Sequence, residues 1–122
     1  QMGTRFVASE EASSHPNFKN AVINSKEGDT IVTLKELTPV RLIKNNFYEQ
    51  IAEAKKNCAT NLELQELLGK GRARKGMFEG DMREGELEIG QVSALLREIM
   101  PAEKIIEDIW LEFNEASQKP LK

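Results

Sequence analysis

Six of the eight glycines fall between residues 69 and 90, and this crowding constrains the fold more than any other feature. Glycine in a helix interior costs about 1 kcal/mol relative to alanine, so the stretch is expected to carry turns and close backbone contacts. Before it, His15-Pro16 reads as a helix entry, because Pro suits the first helical position. Phe18, Ala21, Val22 and Ile23 then give helical spacing over residues 16–25. The β-branched run Thr30-Ile31-Val32-Thr33-Leu34 and the run Val40-Arg41-Leu42-Ile43 predict two strands, with Leu37-Thr38-Pro39 between them in a small hairpin or an extended excursion. Asn45-Asn46 caps a helix with Phe47, Ile51 and Ala54 on one stripe. Thr60 caps the next, which carries Leu62, Leu64, Leu67 and Leu68. After the glycines, Gly90-Gln91 is expected to begin a helix with Val92, Leu95, Leu96 and Ile99 apolar. Pro101 opens the last helix, where Ile105, Ile106, Ile109, Trp110 and Phe113 form one apolar face. Trp110 and Phe113 are expected in the core. The opening run, residues 1–8, reads as a strand end followed by a turn. The predicted class is mainly α with a short β-hairpin.

Composition excludes several kinds of chemistry. Seventeen Lys and Arg against twenty Asp and Glu lack the basic excess of a general nucleic-acid binder. One His and one Cys rule out a Cys/His zinc site or an internal disulfide built by this sequence alone. No apolar run approaches the roughly 20 residues of a membrane span. No signal peptide is evident, and a cytoplasmic setting is expected. The chain opens on Gln1 rather than Met, so a longer parent chain is expected.

Four features invite a chemical reading. Residues 69–76 (Gly-Lys-Gly-Arg-Ala-Arg-Lys-Gly) form a basic cluster, but they lack the Gly-x-x-x-x-Gly-Lys-Ser/Thr order of a P-loop. A solvated basic loop that balances acidic helices is the expected role. Asp81, Glu84, Glu86 and Glu88 form an acidic loop whose glycine-rich surroundings give no sign of the burial needed to shift a carboxyl pKa. Cys58 lies beside Lys55 and Lys56 without a base partner and reads as an ordinary helix cysteine. His15 reads as a helix entry and not as a catalytic base.

Several runs, in order, resemble one flavoenzyme family: FMN-dependent nitronate monooxygenases (2-nitropropane dioxygenases), together with the type II enoyl-acyl-carrier-protein reductases. These runs are Gln1-Met2-Gly3-Thr4-Arg5-Phe6, Ser9-Glu10-Glu11, His15-Pro16-Asn17-Phe18-Lys19, Pro39-Val40-Arg41-Leu42-Ile43-Lys44-Asn45, Glu79-Gly80-Asp81, Glu88-Ile89-Gly90-Gln91 and Ile99-Met100-Pro101-Ala102. The resemblance implies the C-terminal segment of a (β/α)8 TIM-barrel flavoprotein. Residues 1–8 would be the last barrel strand and phosphate loop, 9–89 a helical region with the hairpin, and 90–117 closing helices. A whole barrel takes about 250 residues, so the resemblance implies an N-terminal barrel portion as partner. It also implies FMN as cofactor, with Gln1, Met2, Gly3 and Thr4 at its phosphate. Gln91 would bond flavin or substrate, or simply fill a first helical turn. No catalytic residue and no metal site is assigned in this chain, and no turnover is expected from these residues alone. Two reactions share the motifs. One is nitronate oxidation. The other is NAD(P)H-dependent reduction of an enoyl thioester, with acyl carrier protein as a possible partner. A non-catalytic helical interaction module is a further alternative.

Overall fold

A computed structural model describes residues 2–121 of the chain; Gln1 lies outside them. The elements are α1 (Met2–Val7), α2 (Pro16–Ile23), β1 (Thr30–Thr33), β2 (Val40–Ile43), α3 (Asn46–Lys56), α4 (Asn61–Leu68), α5 (Arg72–Met77), a 3-10 turn (Gln91–Leu95) and α6 (Ala102–Ser117). The mainly helical class with one hairpin is as the sequence predicts. β1 and β2 pair antiparallel, with Thr30 opposite Ile43 and Thr33 opposite Val40.

Local chemistry starts most helices where expected. His15 caps α2, its Nδ1 accepting from the Asn17 N–H at 3.0 Å. Asn45 caps α3 by accepting from the Tyr48 N–H at 3.0 Å. Its amide also donates to the Met82 and Gly85 carbonyls, which ties α3 to the glycine-rich stretch. Thr60 and Glu63 form a reciprocal capping box on α4. α6 has no side-chain cap of its own at Pro101, and the Glu11 carboxylate, 91 residues earlier, accepts from the Ala102 N–H at 2.8 Å.

The glycine-rich stretch makes the close contacts expected of it. A Cβ on Gly85 would lie 2.2 Å from the Gly76 Cα, so the two backbones touch there. A Cβ on Gly80 would meet the His15 ring at 2.5 Å.

Three local readings are corrected. Residues 2–7 are helical, not the end of a strand. A strand needs a neighbour for its N–H and C=O groups. Among the described residues, pairing on this side begins only after the helix, where Glu10 and Ala8 bond Met100; the helix closes its bonds internally instead. The expected helix from Gly90-Gln91 is a single 3-10 turn. Leu96 returns to extended backbone (φ −82°, ψ 137°) and is buried, and the chain must stay extended to pair Met100 with Ala8 and Glu10. Residues 72–76 of the basic cluster lie in α5 rather than in a loop.

Two hydrophobic clusters result. One gathers Ala8, Phe18, Val22, Leu87, Ile89 and Leu96; the other gathers Leu34, Leu42, Phe47, Ile51 and Leu64. The apolar face predicted on α6 is mostly uncovered. Ile105 is buried, whereas Ile106, Trp110 and Phe113 are 58%, 63% and 59% exposed. Trp110 and Phe113 stack on each other, with centroids 5.6 Å apart, instead of entering the core.

Cys58 lies beyond α3, not within it. It sits at φ 58°, where its N–H bonds the Lys55 carbonyl and the Ala59 N–H bonds the Ala54 carbonyl. This paired closure of a helix C-terminus normally uses glycine, because a side chain is strained there. Cys58→Gly is therefore expected to stabilise the fold by about 1 kcal/mol. Urea denaturation tests this, and an unchanged or lower midpoint contradicts it.

Candidate functional site

The candidate site is built around the extended segment Glu86–Gly90. Its residues alternate in the period-two manner of a strand, with Leu87 and Ile89 buried in the first cluster. The Ile43 N–H donates to the Leu87 carbonyl at 2.9 Å, and the Ile89 N–H donates to the Arg41 carbonyl at 3.2 Å. The segment thus lies along β2 as a third extended run. Its end is held from the other side, because the Gly90 N–H donates to Thr4 Oγ1 at 3.1 Å.

That bond joins residues 86 positions apart and brings together two of the segments singled out in the sequence. Thr4 is buried. As its hydroxyl oxygen accepts from Gly90, the hydroxyl proton is left to donate. A Cβ built on Gly3 meets nothing within 4 Å, so its backbone is approachable. Met2 is exposed and brings no buried contact. Gln91 follows Gly90 directly and is exposed. Thr4, Val40, Arg41, Glu88 and Gly90 line one open groove. Arg41 and Gln91 also line a second, larger groove.

The acidic loop departs from expectation. Glu86 is only 8% exposed, and burial pushes its carboxyl up to about 7, with the hydrogen bond and charge of Glu88 adding to the rise and Arg72 opposing it. The alternation Glu-Leu-Glu-Ile over residues 86–89 is the signal that the glycines masked. Asp81 moves the other way. The Glu84 N–H, at 2.9 Å, holds its carboxyl below the usual range, with help from the Arg83 N–H and Lys75. Glu84 accepts from the Asn46 and Gln50 amides.

The basic cluster is largely committed within the chain. The Arg72 guanidinium lies 4.3 Å from the centroid of the Phe47 ring and donates to the Leu67, Leu68 and Glu84 carbonyls. Arg74 pairs with Glu79, and Lys75 with Asp81. Among the described residues no group of three or more His, Cys, Asp or Glu is placed to hold a metal ion. No described helix is long and apolar enough to cross a membrane.

Comparison with known proteins gives a consistent picture. Residues 1–112 match the family described as nitronate monooxygenase. A "Probable nitronate monooxygenase" of Staphylococcus saprophyticus is 31% identical over 117 residues, which cover 94% of this chain and 32% of the relative. One from Staphylococcus aureus is 29% identical over 119 residues, covering 97% and 33%. The solved structure of FabK from Thermotoga maritima superposes with a TM-score of 0.84 at 36% identity, covering 94% of this chain and 36% of that one. A point mutant of that FabK superposes at 0.78. The chain spans about a third of the length of these relatives.

The buried Glu86 carboxyl sets a pH dependence. Folded, it keeps its proton to about pH 7; the ordinary value is 4.5. Between these values the folded state binds more protons than the unfolded state. Its contribution is fully present below about pH 4.5 and is lost as pH rises through about 7, a fall of roughly 3 kcal/mol. Denaturation of wild type and Glu86→Gln across pH 4–8 checks this: the wild-type curve should fall relative to the variant, and parallel curves contradict it.

Proposed function

This chain belongs to the nitronate monooxygenase family, and from that premise we propose that it works as part of an FMN-dependent oxidoreductase of the nitronate monooxygenase type, where it anchors the FMN phosphate. The observation that carries this is the Thr4–Gly90 hydrogen bond, which sets the Gly3-Thr4 backbone beside Gly90-Gln91. The donors present suit a phosphate. They are the remaining hydroxyl proton of Thr4 and the approachable Gly3 main chain. Gln1, outside the described residues, and Met2 belong to the same proposed cradle through their backbone. Gln91 is assigned a hydrogen bond at the flavin or substrate edge.

Bound FMN supplies the acceptor of electrons or hydride, and the protein positions it. Thr4 and Gly3 fix one end of the cofactor, and Gly90 holds Thr4 in place. No catalytic acid or base is assigned to this chain; that role falls to an N-terminal barrel portion acting with it. The exposed Ile106, Trp110 and Phe113 of α6 and Leu95 of the 3-10 turn support such a partner, since contiguous exposed apolar area marks an interaction surface. The exposed, free Cys58 suits a reducing cytoplasm.

A second reading, the NAD(P)H-dependent reduction of an enoyl thioester, is favoured by the likeness to FabK at 36% identity. An acyl carrier protein partner gains little from the basic cluster, because Arg72, Arg74 and Lys75 already have acidic or carbonyl partners.

In the protein carrying this chain with its barrel portion, Thr4→Val is expected to weaken FMN binding about tenfold, the loss of about 1.4 kcal/mol. Flavin fluorescence titration measures this, and unchanged affinity removes Thr4 from the phosphate site. Turnover of propionate 3-nitronate supports the first reading. Turnover of a crotonyl thioester with NAD(P)H, and none of the nitronate, transfers the chain to the second.

A further inference from the structure

We propose that the pocket between the hairpin loop, the end of α4 and residues 86–88 binds a small amphipathic cation, an alkylammonium of a few carbons. Glu86 and Glu88 form its polar side, and Leu37, Pro39, Val40 and Leu68 its apolar side. Its volume is about 270 Å³, just below the roughly 300–1,000 Å³ of drug-sized sites, so it suits a small molecule. Leu87 and Ile89 enter the first hydrophobic cluster. Period-two alternation therefore sends the Glu86 and Glu88 side chains out together on the opposite face.

Glu86 is the observation that points to a cation. It is buried, yet among the described residues its carboxyl meets no hydrogen-bonding group except the Glu88 carboxyl. The neighbouring acids differ. Asp81 accepts from the Arg83 and Glu84 N–H groups and pairs with Lys75. Glu84 accepts from the Asn46 and Gln50 amides and lies within 4.0 Å of Arg72 and Arg83. Among the described residues, neither Glu86 nor Glu88 has a cation within that distance. Arg72 of α5 is near enough for its charge to act on Glu86, but its Nε, Nη1 and Nη2 donate to the Leu68, Glu84 and Leu67 carbonyls. The residues that the hairpin and α4 bring to the pocket carry no charge. Left without a paired cation, the buried carboxyl keeps its proton to about 7. An alkylammonium supplies what is missing, a positive charge with three N–H donors for carboxyl oxygens, and its hydrocarbon part meets the apolar side. On binding, the Glu86 proton leaves to solvent.

The pocket stands apart from the flavin reading, since neither Thr4 nor Gly90 lines it. The test is NMR titration of n-butylammonium chloride, of 1-butanol and of ammonium chloride into the purified protein at pH 6 and pH 8. Butylammonium is expected to shift the Leu37, Glu86 and Glu88 amide signals, and at pH 8 to bind at least tenfold more tightly than 1-butanol or ammonium. Its affinity should rise at least fivefold from pH 6 to pH 8, as Glu86 gives up its proton. Glu86→Gln is expected to weaken binding at pH 8 at least fivefold and to remove the pH dependence. Glu88→Gln, at an exposed position, reads the same pocket should Glu86→Gln fail to fold, and is expected to weaken binding about threefold. Four results each overturn the site: no butylammonium binding, equal affinity for 1-butanol, no rise from pH 6 to pH 8, or binding indifferent to Glu86→Gln and Glu88→Gln. Equal affinity for ammonium overturns its apolar half. An equal loss with Glu49→Gln, an exposed acid that does not line the pocket, assigns the effect to overall charge and overturns the site.

Discussion

Residues 86–90 are the strut on which the rest of the molecule hangs. Their backbone bonds β2 through Ile43 and Arg41, and their last N–H bonds Thr4 of α1. Without the strut, the two-stranded hairpin would have no third extended run, and an isolated hairpin is marginal in water. Leu87 and Ile89 supply much of one hydrophobic cluster, while Leu42, one residue from the Ile43 contact, belongs to the other. Glu86 and Glu88 occupy the alternate positions. The charge forced into a half-buried strand shows in the raised Glu86 carboxyl.

The same strut brings the candidate residues near one another. Thr4 comes from the first helix, Arg41 from the second strand, and Gln91 from the turn that follows the strut. None of these is close to another in sequence. Arg41 lines both the groove that includes Thr4 and the groove that includes Arg97. α1 meets α6 through the Arg5–Asp108 pair at 3.9 Å, while Ile106, Trp110 and Phe113 of α6 stay exposed.

Much of the fold was legible because its signals are local. Asn45, Thr60 and Pro16 start helices by bonding, or by lacking, nearby N–H groups, and the β-branched residues of Thr30–Thr33 mark a strand without reference to anything distant. The misread elements depend on distant partners. Nothing within residues 2–7 says whether a neighbouring strand is available, and helix results when none is. Arg72 looks like one member of a basic run until Phe47 and the Leu67, Leu68 and Glu84 carbonyls surround it. Glu86 looks solvated until its alternation with Leu87 is set against β2. Trp110 and Phe113 carry the pattern of a buried face, yet among the described residues they stack on each other and stay exposed. Of the candidate site, the motif pieces were legible, but their meeting through the Thr4–Gly90 bond spans too much sequence to be read from either end.

The most direct test of this account is amide hydrogen exchange by NMR at Ile43, Ile89 and Gly90. All three N–H groups are donors in the strut, so all three should be protected well beyond unstructured-chain rates, and Thr4→Val should release Gly90 while leaving Ile43 and Ile89 protected. Exchange of Gly90 at the unstructured-chain rate in the wild-type protein would contradict the account, because Thr4 would then not be held beside Gly90 and Gln91.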